Sequence, residues 1–194
     1  EILITGLPHL SWHFLSSSAS SFQAGGGVRD QLFNSVYLLI LTIAISLPIA
    51  LGAAIYLSEY AKDNWITNTI RTSIEILSSL PSIVVGLFGY LLFVIQFNLG
   101  FSIISGALAL TFFNLPILTS NIEQALEGVP QSQREAGQAL GLSNWKTIRG
   151  IVLPAALPGI LTGIVLSAGR VFGEAAALIY TAGQSGSTID YSNW

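Results

Sequence analysis

Cysteine is absent from the 194 residues, and so is methionine. Without cysteine the chain has no disulfide, no thiolate metal site and no thiol nucleophile. Without a methionine even at its start, it is expected to be a piece of a longer protein. Charge is scarce too. Asp, Glu, Lys and Arg make up 9% of the residues, against roughly 25% in ordinary soluble domains. Apolar residues reach 52%, and the mean hydropathy is +0.67. So few charges cannot cover a soluble domain with such a core, and the chain is expected to live in a bilayer. The opening residues, Glu1 to Gly6, lack the basic start of a signal peptide. Also missing are a glycine-rich phosphate loop between strand and helix, a Ser-His-acid set and any cluster of metal ligands. His9 and His13 stand four apart, but nothing nearby would complete a metal site. The expectation is a non-enzyme with no catalytic residues, no metal and no cofactor of its own.

Long charge-free runs are what the sequence does have. Residues 1–30, rich in Ser and Gly, read as an external loop. No charge occurs from Gln31 to Ser58, enough for a first span over about 32–57, with Pro48 inside it. Ile76 to Ile122 is again charge-free and too long for one crossing. A break at Gln96-Phe97-Asn98-Leu99-Gly100 divides it into spans of about 70–95 and 103–122, each with an internal proline, Pro81 and Pro116. Leu80-Pro81-Ser82 should unwind the second span locally. A fourth span is expected over about 156–180, and residues 184–194 begin another external loop. The fold class is therefore all-α, a polytopic membrane bundle with four spans. Gly159 and Gly163 have the small-xxx-small spacing that lets helices approach closely, here read as packing within the chain.

Between the third and fourth spans lies a polar, net-basic island, 131–155. Ser132 and Glu135 have the spacing of a capping box, which would start a helix at Gln133. Gly141 is placed to end that helix in the left-handed conformation. Ser143 can cap a second short helix, and Pro154 should close the segment. Glu135, Leu140, Leu142 and Trp145 form its expected contact set. Five of the seven Lys and Arg residues (Lys62, Arg71, Arg134, Lys146 and Arg149) fall in the two turns on the island's side of the membrane. The island is therefore expected to be cytoplasmic, and both ends of the sequence external.

Arg170 is the exception to that distribution. It lies within the fourth span, where a charge costs at least ~2.5 kcal/mol unless it faces the bundle interior or a wet cavity. Glu174 follows one helical turn later and could pair with it. The pair is either a structural ion pair or a passage site for an oxyanion. Guanidinium offers the planar paired donors that phosphate oxygens accept. Glu75 and Glu123, near the island-side ends of the second and third spans, read mainly as interfacial or packing groups. Gate roles for them, and for Pro81 and Ser82, are a lesser option.

Glu135-Ala136-Gly137, then Gly141 after three residues and Ile151-Val152-Leu153-Pro154 after nine more, resembles the EAA loop of ABC-importer permeases. Gly137 in place of the second alanine is its one departure. Leu80-Pro81-Ser82-Ile83-Val84-Val85-Gly86-Leu87-Phe88-Gly89, Leu115-Pro116, the run Glu123 to Pro130, and Gly169-Arg170-Val171-Phe172-Gly173-Glu174 resemble the phosphate (Pst) importer permeases, most of all the PstA-type subunit. The resemblance implies a type I, MetI-like permease domain over 31–183 in a prokaryotic cytoplasmic membrane. Such permeases have about six spans, so one span would be missing at each end. The resemblance also implies a coupling set in the island: Glu135, Ala136, Gly141, Leu142, Trp145, Ile151, Leu153 and Pro154. Arg170 and Glu174 would line the substrate path. The implied partners are a second, PstC-like permease, two cytoplasmic ATPase subunits that bind ATP and Mg, an external phosphate-binding protein and membrane lipid, with no nucleic acid. The alternatives are a permease for another oxyanion such as sulfate or molybdate, an ATP-independent secondary transporter, or a membrane scaffold.

Overall fold

The computed structural model describes residues 29–174 and residue 178. The histidine pair, most of the leading loop and the trailing loop lie outside the described residues. The first charge-free run becomes α1 (Arg29–Ile55), which takes in the last two residues assigned to the leading loop and passes directly into a π-helical turn, Tyr56–Tyr60. α2 (Trp65–Ser78) starts at Asn64, whose side chain accepts the Thr67 N–H at 3.0 Å, a normal N-cap. α3 (Ser82–Gly89) continues as a π-helical turn to Gln96. The break expected at 96–100 is present, with Asn98 and Gly100 both at positive φ. α4 (Ile103–Glu127) follows, capped by Ser102. The polar island holds α5 (Gln131–Ala139) and α6 (Asn144–Thr147). A π-helical turn, Ile148–Val152, joins α6 to α7 (Leu153–Gly173).

Among the described residues, three helical stretches are long and apolar enough to cross a membrane: Gln31–Tyr60, Ile103–Glu127 and Asn144–Gly173. The second expected span differs from a locally unwound helix. α2 and α3 meet at 97° across residues 79–81, and the described residues hold a fourth crossing if this bent pair is counted as one. Proline explains the break. Pro81 supplies no N–H, restricts Leu80 to extended backbone and starts α3 at φ −60°, ψ 135°.

The fourth expected span also shifts, toward the island. Pro154 does not close the island but lies in the first turn of α7. In a regular helix its ring would crowd the carbonyl four residues back; the wider turn at Ile148–Val152 relieves that crowding, so the helix continues. α7 ends at Gly173, and the rest of the span expected to about 180 lies outside the described residues apart from 174 and 178.

α4 is the centre of the bundle. It packs on α1, α7 and α2, and 61% of its most apolar stretch is buried, against 28% in the spans of α1 and α7. Ala50 and Ala54 of α1, Leu118, Ile122 and Leu126 of α4, Val152 of the π-helical turn before α7, and Ala156 and Ile160 of α7 form the main core. α7 comes close to α4 at two glycines. A Cβ on Gly159 would lie 2.8 Å from the Ala125 Cβ, and one on Gly163 would lie 3.0 Å from the Asn121 Cβ. The small-xxx-small pair thus serves packing within the chain. Further along the same crossing, Asn114 donates to Ser46 Oγ of α1 at 3.2 Å and accepts from Ser167 Oγ of α7. All three side chains are buried, so α4 is hydrogen-bonded to both neighbours within the bundle.

Candidate functional site

Arg170 sits in the last turn of α7 and is exposed on the described chain. Its guanidinium carbon lies 4.7 Å from the centroid of the Phe113 ring on α4, a cation–π distance. Its Nη2 points toward the Ser78 carbonyl at the end of α2, at 3.5 Å. Ser78 precedes Pro81 by three residues, so Arg170 faces the α2–α3 corner. The expected gate residues Pro81 and Ser82 follow Ser78 at this corner, but the contact Arg170 makes there is with the Ser78 carbonyl. Pro81 is exposed and Ser82 half-buried. The expected Arg170–Glu174 pair is not made. Glu174 is where α7 ends, at φ −85°, ψ 86°, so it has left the helical face on which a four-residue spacing would align it. A guanidinium with one aromatic face, one weak carbonyl contact and an open side keeps most of its donors available for an anion.

The island carries its contact set outward. Leu140 is 77% and Trp145 54% exposed. Glu135, Ala136 and Pro154 are exposed, while Leu142, Ile151 and Leu153 are half-buried. Gly141 has φ 75°, the left-handed conformation expected of it. The capping box does not form: α5 begins at Gln131 directly after Pro130, so Ser132 is already inside the helix. Ser143 occupies the N-cap position of α6 without a side-chain bond. Gly137 has a steric reason. A Cβ there would lie 2.7 Å from Thr147 Cγ2 and 2.9 Å from Thr147 Oγ1, so α5 can rest on the α6 turn only with glycine at this position.

Two arginines hold the island and α2 to the bundle, and the sequence showed neither role. Arg134 of α5 makes a forked contact with Glu59, Nε to both carboxylate oxygens at 3.2 Å and Nη2 to Oε1 at 2.7 Å. It also donates to the carbonyls of Leu126, in the last turn of α4, and Val129, just beyond it. Both side chains of this pair are largely buried, 15% and 8% exposed. Removing one partner of such a pair typically costs about 3–5 kcal/mol, because the other charge is stranded. Arg71 of α2 pairs with Glu123 at 2.8 Å and Glu127 at 3.1 Å, and reaches the Leu57 carbonyl at 3.3 Å. Glu123 is buried and ion-paired. Glu75 is exposed and lines a cavity of about 150 Å³ beside Arg71 and Glu123. A larger polar cavity of about 390 Å³, lined by Glu59, Glu127, Arg134 and Asn144 among others, opens between the ends of α1 and α4 and the island. Charge pairs separated by 52 to 75 positions leave no local signal. Only the scarcity of charge could have pointed to these residues.

Known proteins bear on this architecture at three levels. The chain is 49% identical over 193 residues to the probable ABC transporter permease protein YqgI of Bacillus subtilis, covering 100% of this chain and 66% of that protein. It is 38% identical to phosphate transport system permease protein PstA 2 of Mycobacterium tuberculosis, over 96% of this chain and 61% of that protein. The chain therefore spans just under two thirds of the length of these relatives. Among solved structures, an inward-facing form of the MetNI methionine ABC transporter superposes with a TM-score of 0.66 at 21% identity, covering 82% of this chain and 75% of that one, which establishes a shared MetI-like permease fold. Residues 46–193 match the family described as binding-protein-dependent transport system inner membrane component. With its charge-poor spans wrapped around α4 and a polar two-helix island between the last two, the chain belongs to that family of multi-pass inner-membrane transport components.

Proposed function

We propose that this chain is the permease part of an ATP-driven importer of inorganic phosphate. The observation that carries the reading is Arg170, a charge in the last turn of a membrane helix, open on one side and facing the α2–α3 corner. A guanidinium in that position is too costly to leave against lipid, so it faces a water-filled path or a second subunit. Its free donors fit the oxygens of a tetrahedral oxyanion. Relatives named as phosphate transport permeases support phosphate over other oxyanions. Glu174, released from the helix, is close enough in sequence to meet a protonated phosphate oxygen beside Arg170.

The island, 131–155, is the docking handle for an ATPase. Exposed Leu140 and Trp145 provide apolar anchors, Glu135 a charge, and Gly141 and Gly137 the turn and close packing that hold α5 and α6 together. On this reading the island faces the cytoplasm, and residues 1–30 and 184–194 face outward. A second, PstC-like permease completes the path, two ATPase subunits bind ATP and Mg, and an external binding protein delivers phosphate. The chain itself makes and breaks no covalent bond. Closure of the ATPases biases the assembly between outward and inward openings.

The test is uptake of labelled phosphate by proteoliposomes containing the whole transporter with its full-length permease, with binding protein outside and ATP inside. ATP-dependent uptake that resists competition by sulfate and molybdate is expected, together with a large loss in Arg170→Lys and Arg170→Ala. Undiminished uptake in both variants would remove Arg170 from the path. Uptake without ATP would point to a secondary transporter.

A further inference from the structure

Arg134 and Arg71 enter the bundle from different elements yet grip the same two helix ends. Arg134, on α5, binds Glu59 in the π-helical turn that ends α1 and the carbonyls of Leu126 in the last turn of α4 and Val129 just beyond it. Arg71, on α2, binds the Leu57 carbonyl in that turn of α1 and Glu123 and Glu127 in the last turns of α4. Each arginine bridges α1 to α4, and the two bridges lie side by side. α2 has few other restraints. It packs chiefly on α4, and the 97° corner separates it from α3. Its far end is the Ser78 carbonyl that faces Arg170, seven residues or about 10 Å along the helix from Arg71.

We propose that Arg134 and Arg71 are positioning residues of a single relay. Through Arg134, α5 moves the joined ends of α1 and α4. Those ends move α2 through Arg71, and the far end of α2 shifts the carbonyl beside Arg170. This route is separate from the continuous helix that runs from α6 into α7. It rests on the reading of the island as the ATPase handle and of Arg170 as the anion contact. The forked geometry matters because a guanidinium holds two partners in fixed relative orientation, whereas an ammonium is a point charge that can swivel. Members of one relay are non-additive, and that non-additivity is the test.

The experiment measures phosphate ions moved per ATP hydrolysed by the whole transporter in proteoliposomes. It compares wild type, Arg134→Lys, Arg71→Lys, the double variant and Glu59→Gln. These substitutions keep charge or shape, and the amount of ATPase that copurifies confirms assembly. The expected result is that each single variant assembles, retains basal hydrolysis and loses about three- to tenfold in ions per ATP. The double variant should be no worse than the poorer single. A purely structural role would lower yield and leave the ratio of transport to hydrolysis unchanged. An unchanged ratio in both single variants, or losses that multiply in the double, would overturn the relay. Failure of the underlying reading looks different: wild type would show no ATP-dependent phosphate uptake, or Leu140→Asp and Trp145→Asp would still retain the ATPase, and the relay would then fall with it.

Discussion

Gly159→Ala should loosen the contact between α4 and α7. The added Cβ would lie 2.8 Å from the Ala125 Cβ, whereas carbon atoms pack comfortably at about 3.5–4.0 Å. The helices must therefore part by about 1 Å at this turn. Ala125 cannot yield, since its Cβ is fixed to the backbone and the α4 backbone is held on its other side by α1. Gly163 one turn later, with Asn121 facing it at 3.0 Å, would lose part of its contact as well. Overpacking of this kind costs about 1–3 kcal/mol. The higher helix propensity of alanine returns about 1 kcal/mol, so a net loss of up to about 2 kcal/mol is expected. The assay is reversible unfolding of the full-length protein in mixed micelles titrated with SDS. Gly169→Ala is the control, because nothing lies within 4 Å of a Cβ there, and it should be neutral or slightly stabilising. Adding Ala125→Gly to Gly159→Ala should restore at least half of the loss. If Ala125→Gly were equally harmful with and without Gly159→Ala, the two positions would not be in contact and the reasoning would fail.

The same geometry predicts that Gly137→Ala separates α5 from the α6 turn, because the β-branched Thr147 side chain has little freedom to move aside. Uptake should fall and Thr147→Ala should restore it; persistent loss in the double variant would place the fault elsewhere. Gly141→Ala forces an L-residue to φ 75° and should cost about 1–2 kcal/mol, seen as faster proteolysis of the island with the spans unaffected. Asn114→Ala breaks both hydrogen bonds from α4 to its neighbours. At about 0.6 kcal/mol each, up to ~1.7, plus the cavity left behind, the expected loss in the same SDS titration is about 1–3 kcal/mol. No loss would mean that Ser46 and Ser167 find equivalent partners.

What the sequence disclosed and what it hid have physical causes. Charge-free runs mark spans because each unpaired charge in lipid is expensive, and the first and third spans lie where those runs lie. The rank of the spans was hidden. α4 is the least apolar of the three crossing helices yet the most buried, because Asn114, Thr119 and Glu123 face protein partners instead of lipid. Hydropathy therefore points away from the centre of the bundle. The corner at Pro81 was legible as a disturbance, since proline reports its missing N–H, but a bend angle depends on what the two arms pack against. At the island, Gly141 was legible because positive φ is a single-residue property. The capping box failed because Pro130 starts the helix a residue pair early. In the site, Arg170 stood out as a charge within a span. Its partners Phe113 and Ser78 did not, for an aromatic ring and a backbone carbonyl carry no sequence mark of their role.

The π-helical turn at Ile148–Val152 separates two quantities that are tied together in a regular helix, chain length and rotational phase. Within α7, removing one residue would swing everything before it by about 100°, turning Trp145 and Leu140 away from their present face. Within the wide turn, the same removal can be absorbed by closing it to α-helical hydrogen bonding, leaving both flanks facing as they do. Gly159 and Gly163 can thus stay against α4 while the island keeps its own orientation. A change of length on one side of this turn need not be felt on the other.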